Sequence, residues 1–485
     1  MKRWWLLLLT VAVLAVALAA CRGGGAAPET VVVTKEVVVT QEVVVTQEVV
    51  VTQEVQVEKE SGPCAPQSFD ELGEDGVIKI GVPVPLSAPG SVTGGRAMMT
   101  AVQIAADQVN AKGGIMGKYP VKPIFYDTSG LPERGTAAME YLITQECVVA
   151  VAGEYHSAAG VAEKEVAHKY GIPAIFAETW NDTITASQYP EVFRIAPASS
   201  MVAEADAKYM KDLGVTFVAI AAENTDYGVP ASEATKERLA NYGIDSKIYL
   251  AEQGTQEFGA IIAKMQEDMK AYDGLKAVLV LITGETSYNF EQQAAEAGLM
   301  PADDVVCIAN QVAANSTEYW QNVPDGNYCA FRRVGVVPAL IQGNPIAEEF
   351  VAAYKQAWKD ETRFPESYAF EAYDAFMLVV KAIEETQSLK PEDIIAYLEA
   401  HDSKDNGIQG AQGVYYFPYG THNPVPDDVP EWMWHQWPDP AVLFLQYWQE
   451  GQTVDEACVV WPEQYQTCGT FLVPYGGEPP VKPGE

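Results

Sequence analysis

Positive charge is scarce in this sequence of 485 residues. It contains 31 Lys and Arg against 66 Asp and Glu, which gives a formal net charge of −35 at pH 7. A chain with this excess of negative charge repels the phosphates of DNA and RNA. The composition therefore argues against nucleic acid as a partner, although it says little about a small ligand.

Motifs typical of enzymes and metal sites are also missing. The sequence has no H-E-x-x-H, no G-x-S-x-G and no phosphate-binding loop, and the acidic stretch 402–407 lacks the spacing of an EF-hand. No C-x-x-C pair occurs, and the cysteine spacing does not match a zinc site. We therefore expect a protein that is not an enzyme and carries no metal or cofactor. The alternative is a hydrolase whose residues meet only in the folded chain, which turnover of its ligand would reveal.

Cysteine is infrequent as well, with seven residues in the chain. Cys21 stands apart near the N-terminus, and the other six can pair in many ways because sequence alone does not fix disulfide connectivity. We predict one bridge between Cys458 and Cys468, which are close in sequence. We predict another between Cys307 and Cys329, which flank two predicted strands.

What the sequence does contain begins with a leader-like N-terminus. Lys2 and Arg3 precede an apolar run over 4–17, which ends in L-A-A-C at 18–21. A basic start, a run slightly short for a membrane span and small residues at its end are typical of a signal peptide. The L-A-A-C motif resembles the lipobox of bacterial lipoproteins, which implies cleavage after residue 20 and lipidation of Cys21. The alternative is an uncleaved anchor helix. Both interpretations place the rest of the chain outside the cytoplasm, at the outer face of the cell membrane.

A Val-rich repeat follows this motif. Its five hexads, VVVTKE, three copies of VVVTQE and VQVEKE, occupy 31–60. A period of six keeps no single apolar stripe on a helix, whereas it preserves the two faces of a strand. The repeat contains no Gly or Pro, so we expect an extended and fairly stiff segment. We interpret 21–65 as a lipid anchor and tether. The alternative, self-association of the strands into a stalk, is disfavoured by the regular acidic residues.

From residue 77 onward, short apolar runs alternate with amphipathic helices. This alternation predicts an α/β fold with helices on both faces of parallel sheets, and the strands are too numerous for one lobe. The predicted strands lie at 77–86, 121–127, 147–153, 172–176, 193–197, 215–223, 247–252, 276–282, 305–309, 327–335, 414–417, 441–448 and 457–462. The predicted helices lie near 98–112, 161–166, 229–242, 257–272, 286–298, 345–359, 367–386 and 391–400.

A set of segments in this part of the chain occurs in the order found in one protein family. The segments are IKIGVPVPLSAPG, VNAKGGIMGK, FYDTSG, VVAVAGEYHSAAG, GIPAIFAE, AIAAENTDYG and AFEAYDAFMLVVKAIEE. Together they resemble the type 1 periplasmic binding proteins, specifically the branched-chain amino-acid-binding branch, over about 77–462. The resemblance implies two doubly wound, Rossmann-like lobes joined by three crossovers. It further implies that a small solute is bound between the lobes and delivered to the permease and ATPase subunits of an ATP-binding-cassette importer.

The same resemblance divides the chain into domains. Residues 1–20 are expected to be the signal peptide and 21–65 the anchor and tether. One lobe is expected to combine 77–198 with 330–412, and the other to combine 199–329 with 413–475. The expected crossovers therefore lie near residues 198, 329 and 413.

The loop after the predicted strand 147–153 is the first candidate ligand site. In open α/β sheets, ligands lie where strands end and helices begin, and the free N–H groups of a helix start favour an anion. The resemblance assigns this loop to the carboxylate of the ligand. The candidates for this role are the Ser157 hydroxyl and the amides of Ala158 and Ala159. Glu154 and Tyr155 lie in the same loop and are candidate ligand-binding residues as well. The alternative for Ser157 is a purely structural helix cap.

The loop after 172–176 is the second candidate site and contains Ala177, Glu178, Thr179 and Trp180. The resemblance predicts small residues here, sometimes with a Thr, so Glu178 and Trp180 depart from the family pattern. A glutamate can accept an ammonium group, and a tryptophan can stack on a cation or an apolar group. Packing between the lobes is the commoner role for a tryptophan in this position.

Two further candidates follow from the resemblance. Tyr227 matches an aromatic residue that packs against the ligand, and its alternative is a turn residue at the surface. Ser87 lies in the first strand–helix loop, which the family places at the mouth of the cleft, and its alternative is an ordinary Pro- and Gly-rich turn.

One departure from the family bears on the ligand. After the strand at 305–309, amino-acid-binding members commonly have a Glu that pairs with the ligand ammonium, whereas this chain has Gln311. A buried ammonium needs a carboxylate nearby. Either Glu178, Glu154 or Glu285 supplies it, or the ligand is an amide, a urea-like compound or a small carboxylate.

The tail of the chain is rich in tryptophan. The stretch 430–448 contains Trp432, Trp434, Trp437 and Trp448, with His435 among them. We expect these residues to pin a long loop to a lobe, and the alternative is a second binding surface. A sensor that presents its ligand to a membrane receptor is the alternative to an importer component.

Overall fold

The computed structural model describes residues 62–478 of the chain. The predicted signal peptide, Cys21 and the hexad repeat lie outside the described residues. Within 62–478, no helix combines the length and the hydrophobicity that a membrane crossing requires.

The first part of the described chain alternates strands and helices. Its strands are β1 (Ile78–Val84), β2 (Val121–Asp127), β3 (Ala150–Gly153), β4 (Ala174–Phe176) and β5 (Val192–Arg194). Its helices are α1 (Val92–Ala111), α2 (Pro132–Thr144), α3 (Ser157–Tyr170) and α4 (Thr183–Ala186). The strands form one parallel sheet in the order β2-β1-β3-β4-β5. β3, β4 and β5 are completely buried, as expected for parallel strands covered by helices on both faces.

The alternation continues through the second part of the chain. Its strands are β6 (Phe217–Glu223), β7 (Asp245–Ala251), β8 (Lys276–Leu281), β9 (Val305–Ala309) and β10 (Ala330–Val334). Its helices are α5 (Ser199–Leu213), α6 (Gly228–Asn241), α7 (Gly259–Met269), α8 (Glu285–Glu296) and α9 (Ser316–Asn322). β6, β8 and β9 consist of buried, mostly apolar residues and form the centre of a second parallel sheet.

The third part contains three helices and four strands. These elements are α10 (Pro345–Trp358), α11 (Ser367–Thr386), α12 (Pro391–Ala400), β11 (Ile408–Gln409), β12 (Val414–Tyr415), β13 (Val442–Gln446) and β14 (Cys458–Trp461). β11 and β12 form a small hairpin. β13 and β14 extend the second sheet in antiparallel fashion, so that its order is β14-β13-β10-β9-β8-β6-β7.

The chain passes between the two sheets three times, which confirms the predicted fold class. The passages lie between β5 and α5, between β10 and α10, and between residue 437 and β13. α10 and α11 pack against α1, and α12 packs against α11. We call the first sheet with α1–α4 and α10–α12 the first lobe, and the second sheet with α5–α9 the second lobe.

Strand pairing departs from the predicted lobe boundaries at two places. β10, which the sequence prediction assigned to the first lobe, pairs with β9 and β13 in the second sheet. Residues 435–437, which were assigned to the second lobe, pair with β5 of the first sheet. There the Arg194 N–H donates to the carbonyl of His435 at 2.9 Å, and the Trp437 N–H donates to the carbonyl of Arg194 at 2.9 Å. The alternation of strands and helices identifies elements, but it does not show which sheet a returning segment joins.

Among residues 62–478, disulfides join three pairs of cysteines. The structure contains Cys307–Cys329 and Cys458–Cys468, the two pairings that the sequence analysis favours. It also contains Cys64–Cys147, whose partners are 83 residues apart. This bridge fastens the segment before β1 to the end of α2, and no local spacing in the sequence indicates it.

Residues 432–437 of the tryptophan-rich tail are fixed to the first lobe, whereas Trp448 follows β13 of the second sheet. Trp434 Nε1 donates to the carbonyl of Tyr189, and Trp437 Nε1 donates to the carbonyl of Val414. The His435 ring is completely buried and stacks on Phe193 with 3.9 Å between ring centroids. These contacts agree with the expectation that the tail pins a long loop to a lobe.

Candidate functional site

A cavity lies between the two lobes, at the carboxyl ends of the strands. Its empty volume is about 280 Å³, part of which is open to solvent. Each lobe contributes four of the side chains that line it: Tyr155, Ser157, Glu178 and Trp180 from the first lobe, and Tyr227, Thr283, Asn310 and Gln311 from the second. This is the place where open α/β sheets bind ligands, because the loops that leave the strands converge there.

Ser157 begins α3 and presents a hydrogen-bond donor. Its Oγ accepts the N–H of Trp180 at 3.0 Å and the N–H of Asn181 at 3.1 Å. A hydroxyl oxygen has two lone pairs, so both are used and the hydroxyl hydrogen is left to donate. The amides of Ala158 and Ala159 lie in the first turn of α3, where N–H groups have no partner within the helix. This side of the cavity therefore suits an acceptor group or an anion.

Glu178 and Gln311 connect the two lobes across the cavity. Gln311 Nε2 donates a hydrogen bond to Glu178 Oε1. Glu178 is 4% exposed and Gln311 is 8% exposed. Among the described residues, no donor in good geometry meets Glu178 Oε2 or Gln311 Oε1. The two side chains, both almost completely buried, thus place two adjacent acceptors, one from each lobe, at the cavity.

A second carboxyl group, that of Glu371 on α11, lies beside Glu178. Burial raises the pKa of Glu178 to about 7, while hydrogen bonds from Glu371, Gln311 and Trp180 act in the opposite direction. Burial and the neighbouring Glu178 charge raise the pKa of Glu371 well above its ordinary value. The neutral form of Glu371 is therefore favoured, and ionisation of the pair falls on Glu178. One formal charge becomes available to the cavity as the pH rises through about 7.

Aromatic side chains form the walls. Trp180 and Tyr227 meet edge to face with their ring centroids 6.0 Å apart. The Arg332 guanidinium lies 5.9 Å from the Trp180 ring centroid and is paired with Asp206 at 3.4 Å. Burial raises the pKa of Tyr227 to about 12, so its hydroxyl stays protonated in the neutral range. Arg332 does not line this cavity; together with Asp206 it lines an adjoining space on the other side of Trp180 and Tyr227.

The lobes also touch outside the cavity. The Thr93 N–H donates to Glu285 Oε1 at 2.6 Å, and Thr93 Oγ1 donates to Glu318 Oε2 at 2.6 Å. Asn181 Nδ2 donates to the carbonyl of Asp226. Contacts on more than one side of the cavity show that the structure is a closed arrangement of the two lobes.

The structure brings together six of the residues predicted from sequence: Tyr155, Ser157, Glu178, Trp180, Tyr227 and Gln311 all line the cavity. The other predicted residues do not line it: Ser87, Glu154, Ala158, Ala159, Ala177, Thr179 and Glu285. Of the three carboxylates considered for a ligand ammonium, Glu178 alone is at the cavity.

The residues outside the cavity have other partners. Ser87 Oγ donates to Asp127 Oδ2 at 2.6 Å, within the first lobe. Glu154 is completely buried, and its Oε1 accepts the N–H of His156 at 2.9 Å. Glu285 accepts from Thr93 and so joins the lobes rather than facing the cavity. A position at the end of a strand does not by itself direct a side chain into the cleft.

Three residues of the site were not assigned from the sequence. Thr283 and Asn310 line the cavity just after β8 and β9, so the strand-end rule would have found both. Thr283 Oγ1 donates to Glu223 Oε1 at 2.6 Å, which fixes its position. Glu371 lies within a long buried helix, and nothing in its sequence surroundings indicates that it supports Glu178.

The geometry defines a class of protein in which two α/β lobes close on a small ligand held between strand-end loops. The chain belongs to the periplasmic binding protein family, whose model matches residues 77–421. This confirms the family resemblance found in the sequence.

Known relatives are distant in sequence and similar in fold. The chain is 24% identical over 303 residues to an amino acid binding protein of Pseudomonas aeruginosa, which covers 61% of this chain and 76% of the relative. It is similar to LivJ, a branched-chain amino acid transporter substrate binding protein of Streptococcus pneumoniae solved with isoleucine. Identity to LivJ is 22%, the TM-score is 0.64, and the match covers 80% of this chain and 100% of LivJ. A solute binding protein of an ABC transporter from R. palustris, solved with benzoate, gives 19% identity and a TM-score of 0.62 over 79% of this chain and 98% of that protein.

Proposed function

We propose that the protein is an extracytoplasmic solute-binding lipoprotein that captures a small polar solute between its lobes and delivers it to a membrane importer. The observation that supports this proposal is a cavity whose lining is divided equally between the two lobes. A site divided in this way is complete only when the lobes are together. Ligand binding therefore shifts the population from open to closed forms, and an importer can distinguish the two.

The chemistry of the cavity supports a polar solute with an acceptor group. We propose that this group meets the Ser157 hydroxyl, which lines the cavity at the start of α3. Tyr155, Trp180 and Tyr227 pack against the rest of the solute, and Glu178 and Gln311 accept its hydrogens. A branched-chain amino acid or a related amide or carboxylate fits this description. The isoleucine and benzoate in the two solved relatives both carry a carboxylate.

Delivery and anchoring complete the proposal. We propose that the closed form docks on the permease of an ATP-binding-cassette importer with its ATPase subunits, as the family resemblance implies. Lipidation of Cys21 would hold the protein at the outer face of the cell membrane, and the hexads over 31–60 would hold the lobes away from the bilayer.

Thermal-shift screening of the full-length protein in detergent tests the proposal. The panel contains amino acids, amides and small carboxylates, and the expected result is a higher melting temperature with at least one of them, because a ligand that binds only the native state stabilises it. A hit is then examined by small-angle scattering and by analysis of the recovered solute. Lobes that never contract with any bound solute, or a solute that is chemically converted, would contradict the proposal.

A further inference from the structure

The charge in the cavity is of one sign. Glu178 is the single lining side chain with a formal charge, and the others are neutral Tyr, Ser, Trp, Thr, Asn and Gln side chains. Arg332 contacts Trp180, but its guanidinium is bound to Asp206 and to the carbonyl of Val280, at 2.8 Å from the latter. The lining therefore offers Glu178 no cationic partner. A buried carboxylate without one is costly, and a cationic ligand removes this cost.

The acceptors near Glu178 outnumber the donors. Because Gln311 Nε2 donates to Glu178, the Gln311 carbonyl oxygen lies next to the same carboxyl group. That oxygen meets no donor among the described residues, and its side chain is 8% exposed. A carboxylate accepts up to about four hydrogen bonds, and an amide oxygen accepts two. A ligand group with several N–H bonds would satisfy the acceptors of both lobes together.

The walls around these acceptors are aromatic. Trp180 and Tyr227 meet edge to face beside Glu178, and Tyr155 lines the same cavity. The faces of such rings attract cations, more strongly when water is excluded. A carboxylate, an amide oxygen and aromatic rings thus converge in one place, and each of them favours positive charge.

We propose that this part of the cavity binds an N–H-bearing cation of the solute, an ammonium, amidinium or guanidinium group, between Glu178 of the first lobe and the Gln311 carbonyl of the second. The inference rests on the proposed function and names the class of solute for the same cavity. The family resemblance expects a carboxylate after β9 for such a group. In this chain the carboxylate comes from the opposite lobe, and the position after β9 supplies a neutral acceptor.

Groups related to these cations allow the contribution of positive charge to be measured separately from that of the N–H donors. A neutral carboxamide or urea has N–H donors but no charge, whereas a quaternary ammonium has charge but no N–H donor. Solutes with these groups serve as probes, since the proposal requires both the charge and the donors.

The experiment is isothermal titration of the full-length protein in detergent at pH 8, where Glu178 is ionised. The cationic probes are L-leucine and n-butylguanidinium. Their matched partners are 2-hydroxy-4-methylpentanoate, which has a hydroxyl in place of the ammonium of leucine, and n-butylurea, which has a neutral urea in place of the guanidinium. Choline serves as the quaternary ion, which has charge but no N–H donor. At least one cationic probe is expected to bind, with its partner weaker by about 10-fold or more, since charge-assisted hydrogen bonds are the strong ones.

Two variants locate the effect. In Glu178→Gln, the affinity for the cationic probe that binds the native protein is expected to fall by about 10- to 100-fold. Glu163→Gln is the matched control, because Glu163 is also a buried carboxyl of the first lobe beside a second carboxyl and does not line the cavity. It is expected to change the affinity by less than about 2-fold.

Each outcome decides the inference. Binding confined to anions, neutral amides or choline, or a Glu178→Gln variant that binds the cationic probe as tightly as the native protein, overturns the inference and leaves the proposed function standing. An absence of binding by every probe here and by every solute of the thermal-shift panel overturns both.

Discussion

Two pairs of buried carboxyl groups lie in the first lobe, and they differ in what they face. Glu178 pairs with Glu371, and Glu154 pairs with Glu163. All four side chains are at most 4% exposed, and burial raises the pKa of each. Glu178 opens onto the cavity between the lobes, whereas Glu154 is directed to the His156 amide inside the first lobe. Burial and an altered pKa are therefore not enough to mark a binding residue, and contact with the cavity makes the difference.

The largest expected effect comes from reversing the charge at the cavity. In Glu178→Lys, the new ammonium would pair with Glu371, which would ionise and so keep the buried site neutral. The lysine would occupy the place proposed for the solute cation. Affinity for a cationic probe should fall by about 1000-fold, as for loss of a buried charge partner, as measured by isothermal titration.

The pair inside the lobe supplies the control for this substitution. Glu163→Gln should bind the same probe normally. If the affinity of folded Glu178→Lys stayed within about 10-fold of the native value, Glu178 would not be the partner of the solute cation.

The next effect concerns Ser157, the hydroxyl donor that the first lobe presents to the cavity. Ser157→Ala removes the hydroxyl proposed to donate to the acceptor group of the solute, and it also leaves the Trp180 and Asn181 amides without an acceptor. Affinity should fall by about 10-fold, and the free energy of unfolding by about 1–3 kcal/mol. Ser157→Thr keeps the hydroxyl and should recover most of both quantities. Equal ligand affinity in the alanine and threonine variants would show that Ser157 is a structural cap only.

The contrast between the two carboxyl pairs also shows which residues of the site can be predicted from the sequence and which cannot. Glu178, Trp180 and Gln311 could be predicted because each follows a strand, and the carboxyl ends of parallel strands meet at one edge. Glu154 also follows a strand, but its side chain does not line the cavity, because the direction of a side chain depends on local backbone geometry that residue order does not reveal. Glu371 could not be predicted, since only the packing of α11 beneath the cavity brings it to Glu178. The sequence also could not show which sheet β10 joins, because an apolar strand pairs equally well in either lobe.

A smaller effect is expected when the partner of Glu178 is changed. Glu178 is faced by Glu371 from α11, by Gln311, by the hydroxyls of Tyr155 and Tyr227 and, beyond Tyr227, by Arg332 with Asp206. Its pKa of about 7 means that the affinity for a cationic probe should decline as the pH falls below about 7, because protonation removes the attracting charge.

Glu371→Leu removes a hydrogen bond that favours ionised Glu178, so the pKa of Glu178 should rise. The pH at which affinity is lost should therefore move upward, and the affinity at pH 7 should fall several-fold, by about the worth of one hydrogen bond. Glu371→Gln keeps a donor and should lie closer to the native profile. Titrations repeated across pH 5.5–8.5 distinguish this role from a purely structural one, which would leave the midpoint unchanged.

The smallest effect belongs to the pair inside the lobe and concerns stability alone. Burial and the neighbouring Glu154 raise the pKa of Glu163 in the folded protein. A carboxyl whose folded pKa is raised contributes its full stability below the unfolded pKa and loses it as the pH rises toward the folded pKa. Glu163→Gln cannot ionise, so its melting temperature relative to the native protein should increase between pH 5 and pH 8, while its affinity for the solute stays the same. Calorimetric melting at the two pH values measures this difference. A variant whose relative stability is independent of pH would mean that Glu163 is ionised in the folded lobe, and the two carboxyl pairs would then differ in charge as well as in position.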